Sequence, residues 1–388
     1  MRNEVRGNAS TSRALNRRLI LNLLRNRGPI SRAEMAQITG LSPAAVTFVV
    51  AELMEDALVV ERQAVAGTTG RRPVPVDINY EAHLALGFKL HRYNIDCVLT
   101  DLATTPIASL EAEVADKSPE GMIETIAATI PKLLAQANRQ EKEIMGIGVS
   151  IPGEINPSTG MCIQSPRFGW KNLPFAELLA ERVHSPVWID DDVNAFAVAQ
   201  KLFGVGRDHR DFAALAIGAG IGCSLVIKGE IYHGSHSAAG KLGHTTSVPN
   251  GRLCECGRRG CLMAHAAEPY MLDEWQSRSG SSISRDEFAR SVEHQEDLAL
   301  SILSDCGSRI GRHLADMVNL FDPEIIVVGG EAVQFGDALL DPIRKTMEEF
   351  AFFTKPELVA DWVPSSWARG AAALATQNIF DFERSPSG

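Results

Sequence analysis

The segment AAGKLGHTTSVPNGRLCECGRRGCLMA, Ala238–Ala264, decides how the rest of the chain is read. It places Cys254, Cys256 and Cys261 within eight residues, and His244 stands ten positions before the first of them. One imidazole nitrogen and three thiolates suit tetrahedral zinc. Four protein ligands also fill the shell, which is the structural arrangement, because catalysis needs an open position. The turn Pro249-Asn250-Gly251 lets the chain double back so that His244 can meet the cysteines, and Gly257 and Gly260 permit tight backbone around them. The expected cofactor is therefore a structural Zn2+ held by His244, Cys254, Cys256 and Cys261. The other four cysteines, Cys97, Cys162, Cys223 and Cys306, stand singly in apolar runs and read as core residues.

Outward from this segment, 388 residues with 45% hydrophobic and 22% charged composition suggest two or three soluble domains. No apolar run reaches the roughly 18 residues of a membrane span. The Arg-rich N-terminus lacks the apolar core and cleavage site of a secretory signal. Seven cysteines without an export signal are expected to be reduced thiols, which points to the cytoplasm and to no membrane partner. The charge is unevenly spread. Residues 1–79 carry eleven Arg, no Lys and seven Asp or Glu, a net +4, which leaves −14 for the remainder against −10 overall. A basic head on an acidic body suggests that only the head meets a polyanion.

The head reads as three helices and a hairpin. Leu15, Leu19, Leu23 and Ile20, Leu24 fall at helical spacing before Gly28-Pro29. Ser31, three residues before Glu34, opens a second helix with a capping box. Gly40 makes a turn, and Ser42 then caps a third helix with Pro43 at its first position and Val46, Val49, Val50 and Leu53 as its buried stripe. Short helix, glycine turn and capped helix is helix-turn-helix spacing, and the β-rich runs around Gly67 and Gly70 complete a wing. This geometry places Ser42, Ala44, Ala45, Thr47 and Phe48 in the major groove of double-stranded DNA, with Arg32 nearby as a further contact. These groove residues are small and apolar, which favours thymine methyls and shape over bidentate hydrogen bonds. Arg71 and Arg72 read as minor-groove or phosphate contacts. From about Tyr80 strand-like runs alternate with helical stretches, an α/β pattern suggesting two lobes around a cleft, and the tail FERSPSG reads as disordered.

The zinc segment also resembles the signature of the ROK family (repressors, open reading frames, kinases): a Glu-x-Gly-His segment, Pro-Asn-Gly, then Cys-x-Cys-Gly-x-x-Gly-Cys-Leu-Glu. The likeness extends through IPGEINPSTG, WIDDDVNAFA, AIGAGIGCSLVIKGEIYHG and IIVVGG, over nearly the whole chain. It implies an α/β, two-lobed actin-like ATPase or sugar-kinase (ribonuclease H-like) fold behind an N-terminal winged helix-turn-helix. The implied domains are 1–79 for the head, 80–195 for the first lobe, with a C-terminal helix at about 366–380 returning to it, and 196–365 for the second lobe, with the zinc motif and a dimerisation surface.

The family divides into sugar kinases and sugar-responsive regulators. The kinases' first phosphate hairpin, Gly-x-Asp-x-Gly-Gly-Thr, aligns with Gly87–Tyr93, where Lys89 replaces Asp and His91, Arg92 and Tyr93 replace Gly-Gly-Thr. Side chains of this size obstruct the approach of backbone amides to phosphates. The second loop, Gly218–Gly222, stays closer to pattern, with Ala219 in place of the usual hydroxyl. Asp192 stands at the kinase base position and is read as a ligand contact, not a catalyst. The resemblance places Arg167, Asp191, Asn194 and His244 in the same sugar pocket, together with Lys241 and Met263, both standing where the family has Glu. Losing two acceptors and gaining a cation points either to an anionic sugar derivative or to internal pairing of Lys241 with Asp191 or Asp192. The implied function is a DNA-binding regulator, a repressor, acting as a homodimer or homotetramer on palindromic operator DNA. The alternative is a sugar kinase with an accessory DNA-binding head.

Overall fold

The computed structural model describes residues 9–63, 74–363 and 365–380. Gly67, Gly70, Arg71, Arg72 and the tail FERSPSG lie outside the described residues. The head consists of α1 (Ala9–Arg27), β1 (Ile30–Ser31), α2 (Arg32–Thr39), α3 (Pro43–Glu55), β2 (Val59–Glu61) and β3 (Pro75–Ile78). Ser31 and Glu34 form the capping box of α2, and Gly40 ends it with φ 73°, a left-handed conformation that glycine adopts without penalty. Ser42 caps α3, its hydroxyl accepting from the Ala45 amide at 3.2 Å. The axes of α2 and α3 turn through 118°, as a helix-turn-helix requires. Val46, Val49, Val50 and Leu53 pack against Ile20, Leu21 and Leu24 of α1. Leu15 is 43% exposed, so α1 buries only its second half. Strand β3 pairs antiparallel with both β2 and β1. At two residues, β1 is too short to show any periodicity in sequence.

The body contains two sheets of the same topology. The first lobe runs β4 (Leu84–Leu90), β5 (Asn94–Thr100), β6 (Pro106–Glu113), α4 (Pro119–Ala137) and β7 (Ile144–Ser150). A side sheet of β8 (Glu154–Asn156), β9 (Met161–Ser165) and β10 (Trp170–Leu173) precedes α5 (Phe175–Val183) and β11 (Val187–Asp190). The main sheet has the order β11-β7-β4-β5-β6, with β4, β5 and β6 antiparallel and β7 and β11 parallel to β4. After α6 (Asp192–Phe203) come β12 (Phe212–Ile217), β13 (Ile221–Ile227) and β14 (Glu230–Ile231), then the cysteine-rich segment. The second lobe continues with α7 (Glu268–Ser279), α8 (Arg285–Glu293), α9 (Asp297–Phe321), β15 (Ile325–Gly329), α10 (Asp337–Phe350) and β16 (Glu357–Ala360). Its order, β14-β13-β12-β15-β16, repeats the first. The chain ends with α11 (Ser366–Phe380), which packs on β4 and β7 of the first sheet. The 195/196 boundary drawn from sequence cuts through α6, a continuous helix that packs on α11 and on β12 and β13.

The alternation along β4 sets up the site. Leu84, Leu86, Phe88 and Leu90 face the core under α4 and α5, whereas Ala85, Gly87 and Lys89 face the opposite side, where α11 lies. A methyl group on Gly87 or Gly148 would collide with the α11 backbone, so these glycines let the helix lie directly on the sheet. Two residues beyond Gly87, the same face carries Lys89 to the mouth of the cleft.

Candidate functional site

A cavity of about 670 Å³ opens between the lobes. Its floor is the N-terminus of α6. Asp191 caps that helix, accepting from the Val193 amide at 3.1 Å, and Asp192 is its first residue. Each carboxylate has a lysine partner. Lys241, from the second lobe, donates to Asp191 at 3.0 Å and to the Gly153 carbonyl of the first lobe at 3.0 Å. Lys89 is 2% exposed, donates to Asp192, and lies 5.2 Å from the ring centre of Trp367. Burial pushes the Asp191 carboxyl above the usual carboxylate range, against the opposing pull of Lys241. Burial acts in the same sense on Asp192, but Lys89, Arg167 and Lys241 outweigh it and hold that group at about 2. Burial likewise works against the charge of Lys241, and Asp191 overcomes it, so its ammonium titrates above the ordinary lysine value.

Arg167, Met263 and His244 line the same cavity. Arg167 approaches Glu255 at 3.8 Å, which brings the first lobe against the cysteine-rich segment. Asn194 does not line the cavity. Two residues past Asp192, it is turned away around the helix, and its amide donates to Asp190 at 2.9 Å. Asp190 also meets His233 at 2.8 Å, so Asn194 braces the strand end beneath the site. The glycine loop between β12 and β13 closes the far side. There the carboxylates of Glu268, paired with Arg285, and of Glu331, bonded by Trp367 Nε1 at 2.7 Å, face the cavity.

His244, Cys254, Cys256 and Cys261 converge, with their ligand atoms all within 4.8 Å of one another. His244 Nδ1 and Cys254 Sγ are 3.6 Å apart, and Cys256 Sγ and Cys261 Sγ are 3.7 Å apart. A tetrahedral zinc with ordinary bond lengths would set such edges at about 3.6 Å for N···S and about 3.8 Å for S···S. The donor set therefore fits the ion in both chemistry and size. Burial lowers the pKa of His244 and favours the neutral imidazole that a metal ligand must be. Gly257 and Gly260, at φ 84° and 82°, hold the turns between the ligands.

On the head, α3 exposes Ser42, Ala44, Thr47, Phe48 and Ala51, with Ala45 half-buried beside them. The Thr47 hydroxyl donates back to the Pro43 carbonyl at 2.8 Å, leaving a surface of methyl groups and the 57% exposed ring of Phe48. Ala51 completes that face one turn further along and was missed in sequence, where only the N-terminal turns of α3 were assigned to the groove. Arginine is less available than the composition suggests. Arg32 pairs with Glu61 at 2.8 Å, Arg62 with Asp77 at 3.1 Å, Arg17 with Asp56, and Arg13 with the buried Glu52.

The ROK family model matches residues 87–378, and a winged helix-turn-helix DNA-binding model matches residues 13–59. The chain belongs to the ROK family. It is similar to the xylose repressor of Bacillus spizizenii, 28% identical over 368 residues covering 94% of each chain. It also resembles the crystal structure of a ROK family transcriptional regulator, a homologue of the Escherichia coli Mlc protein. That match has a TM-score of 0.84 at 25% identity, over 96% of this chain and 98% of that one. A ROK glucokinase from Streptomyces griseus, solved with glucose and AMPPNP, shares the fold of the body. There the TM-score is 0.69 at 23% identity, over 76% of this chain and 99% of that one. Against this ROK background, Lys89 is the site residue whose role sequence reading understated. Its position in the first hairpin was legible; its bond to Asp192 was not, because nothing in sequence links residues 103 positions apart. Trp367, Glu268 and Glu331 were missed for the same reason.

Proposed function

We infer that the chain is a transcriptional repressor that binds double-stranded operator DNA through α3 and the wing and releases it when a sugar or sugar derivative enters the cleft. The observation that carries the non-enzymatic side of this reading is the Lys89–Asp192 pair. A general base must be free to accept the substrate's proton, and here that position is bonded to a buried ammonium. The glycine loop that would cradle phosphates in a kinase has the Glu331 carboxylate beside Gly218, and that charge opposes phosphate. The regulators among the relatives match over nearly their full lengths, head included, which supports the DNA-binding side.

In this reading Asp191, Asp192, Lys241 and Arg167 bind and orient the ligand's hydroxyls, with His244 and Met263 forming one wall. The expectation of an anionic ligand rested on Lys241 as an unpaired cation. Its bond to Asp191 answers the charge internally, so a neutral polyol fits the cleft better than an acid. A zinc ion on His244, Cys254, Cys256 and Cys261 would hold the second-lobe wall in shape and supply no chemistry. The protein acts in the cytoplasm as a homodimer or homotetramer. A two-fold assembly presents two copies of α3 to half-sites about one helical turn apart, with Arg71 and Arg72 in or beside the minor groove. Ligand shifts operator affinity only as far as it binds the two states differently. The alternative, a sugar kinase with an accessory head, is separated by incubating the purified protein with ATP and D-xylose, D-glucose or N-acetylglucosamine. The regulator reading expects no sugar-dependent ADP release, and turnover with any of the three would overturn it.

A further inference from the structure

Two helices begin in the cleft and end under the head. Helix α6 starts with Asp192, and its last turn reaches α1, where Arg25 donates to the Leu202 carbonyl at 2.5 Å. Helix α11 places Trp367 in the cleft at one end and Phe380 at the other, where Asn22 of α1 donates to the Phe380 carbonyl at 2.5 Å. At 12 and 15 residues they span about 18 and 22 Å. The two lie in near-backbone contact: a Cβ on Gly370 would stand 2.9 Å from the backbone of Ala195 and Phe196. At the head end Tyr80, Phe203 and Phe380 stack edge-to-face in series, at 6.4 and 5.9 Å. Ile20, Leu21 and Leu24 of α1 share one buried cluster with Val198, Leu202, Leu374 and Phe380. At the cleft end a single side chain touches both helices. Lys89 donates to Asp192 on α6 and sits over Trp367 on α11.

We propose that α6 and α11 form one strut joining the cleft to the DNA-binding head, and that Lys89 is the positioning residue that locks its cleft end. Near-backbone contact at Gly370, with Phe196 packed edge-on to Trp367 and Phe203 edge-on to Phe380, makes the two helices move together. A ligand hydroxyl bonded to Asp192 shares the carboxylate that Lys89 holds at Oδ2, and the resulting shift at the helix N-terminus arrives at α1 through the Leu202 and Phe380 carbonyls. The inference rests on the head being the DNA-binding module, but its test uses neither DNA nor sugar.

Amide hydrogen exchange of the full-length protein is compared among wild type, Lys89→Met, Asp192→Asn and Phe288→Leu. The last lies in the second-lobe core and serves as a control for general loosening. Denaturant midpoints bring the comparison to equal global stability. Lys89→Met and Asp192→Asn are each expected to speed exchange about 5- to 10-fold along α1 relative to the control. If Lys89→Met does not fold, Asp192→Asn carries the test alone. Exchange in α1 equal to that of the matched control would overturn the strut. Failure of the wild type to bind DNA would instead strike the regulator reading and leave this result standing.

Discussion

Lys89 and Asp192 form a pair that neither partner can leave without cost. Lys89→Met leaves a half-buried carboxylate with only the more distant Arg167 and Lys241 to balance it and should cost about 1–3 kcal/mol at neutral pH, read from urea unfolding. Adding Asp192→Asn to it should cost far less than Asp192→Asn alone, and strictly additive losses would contradict the pairing. The pair also has a pH signature. Its folded-state carboxyl is held at about 2, below the ordinary 3.8. Its contribution is therefore complete above 3.8 and is lost as pH falls toward 2. Across that window wild-type stability should decline more steeply than that of Asp192→Asn, and equal slopes would assign the acid sensitivity elsewhere. At this scale sequence was informative about residue type and poor on direction. The alternation of β4 already separates Lys89 from Leu86 and Phe88, yet its partner lies 103 residues away. Asn194 sits two residues from Asp192, close in sequence but turned to another face of the same helix.

The elements most legible in sequence were those whose ends are chemically marked. Ser31 with Glu34, and Ser42 with Pro43, fixed α2 and α3, because caps act within four residues of the backbone they satisfy. The convergence of His244, Cys254, Cys256 and Cys261 was legible because three lie within eight residues and the fourth is held by one turn. Strand β1 was not, since its two residues take their form from pairing with β3. Two outcomes follow for these elements. Removing metal with a strong chelator should lower the melting temperature and abolish the effector response together; an apo-protein that stays folded and responsive would contradict a zinc wall. Phe48→Ala changes an exposed side chain on α3 and should leave stability within about 0.5 kcal/mol while weakening operator binding by about 1–3 kcal/mol. Unchanged affinity in a gel-shift titration would remove α3 from the groove.

For the whole molecule, the α/β alternation and the two lobes were legible as pattern, whereas the repeated sheet order came only with the structure, because pairing partners are far apart in the chain. The continuity between head and body was invisible there, because it depends on α1, α6 and α11 meeting across the full length of the chain. In the proposed reading, that shared core connects a cleft ligand to DNA. In the proposed function one chain binds operator DNA and lets go when a sugar fills the cleft. The direct measurement selects duplexes from a random pool with the wild-type protein at low salt, then titrates the best duplex with and without D-xylose, D-glucose, N-acetylglucosamine and their acid and phosphate derivatives. The expected result is a palindromic site and a neutral sugar that weakens binding about 5- to 150-fold, within the ordinary range of allosteric coupling. Selection of no duplex, or a selected duplex whose affinity no compound changes, would contradict it.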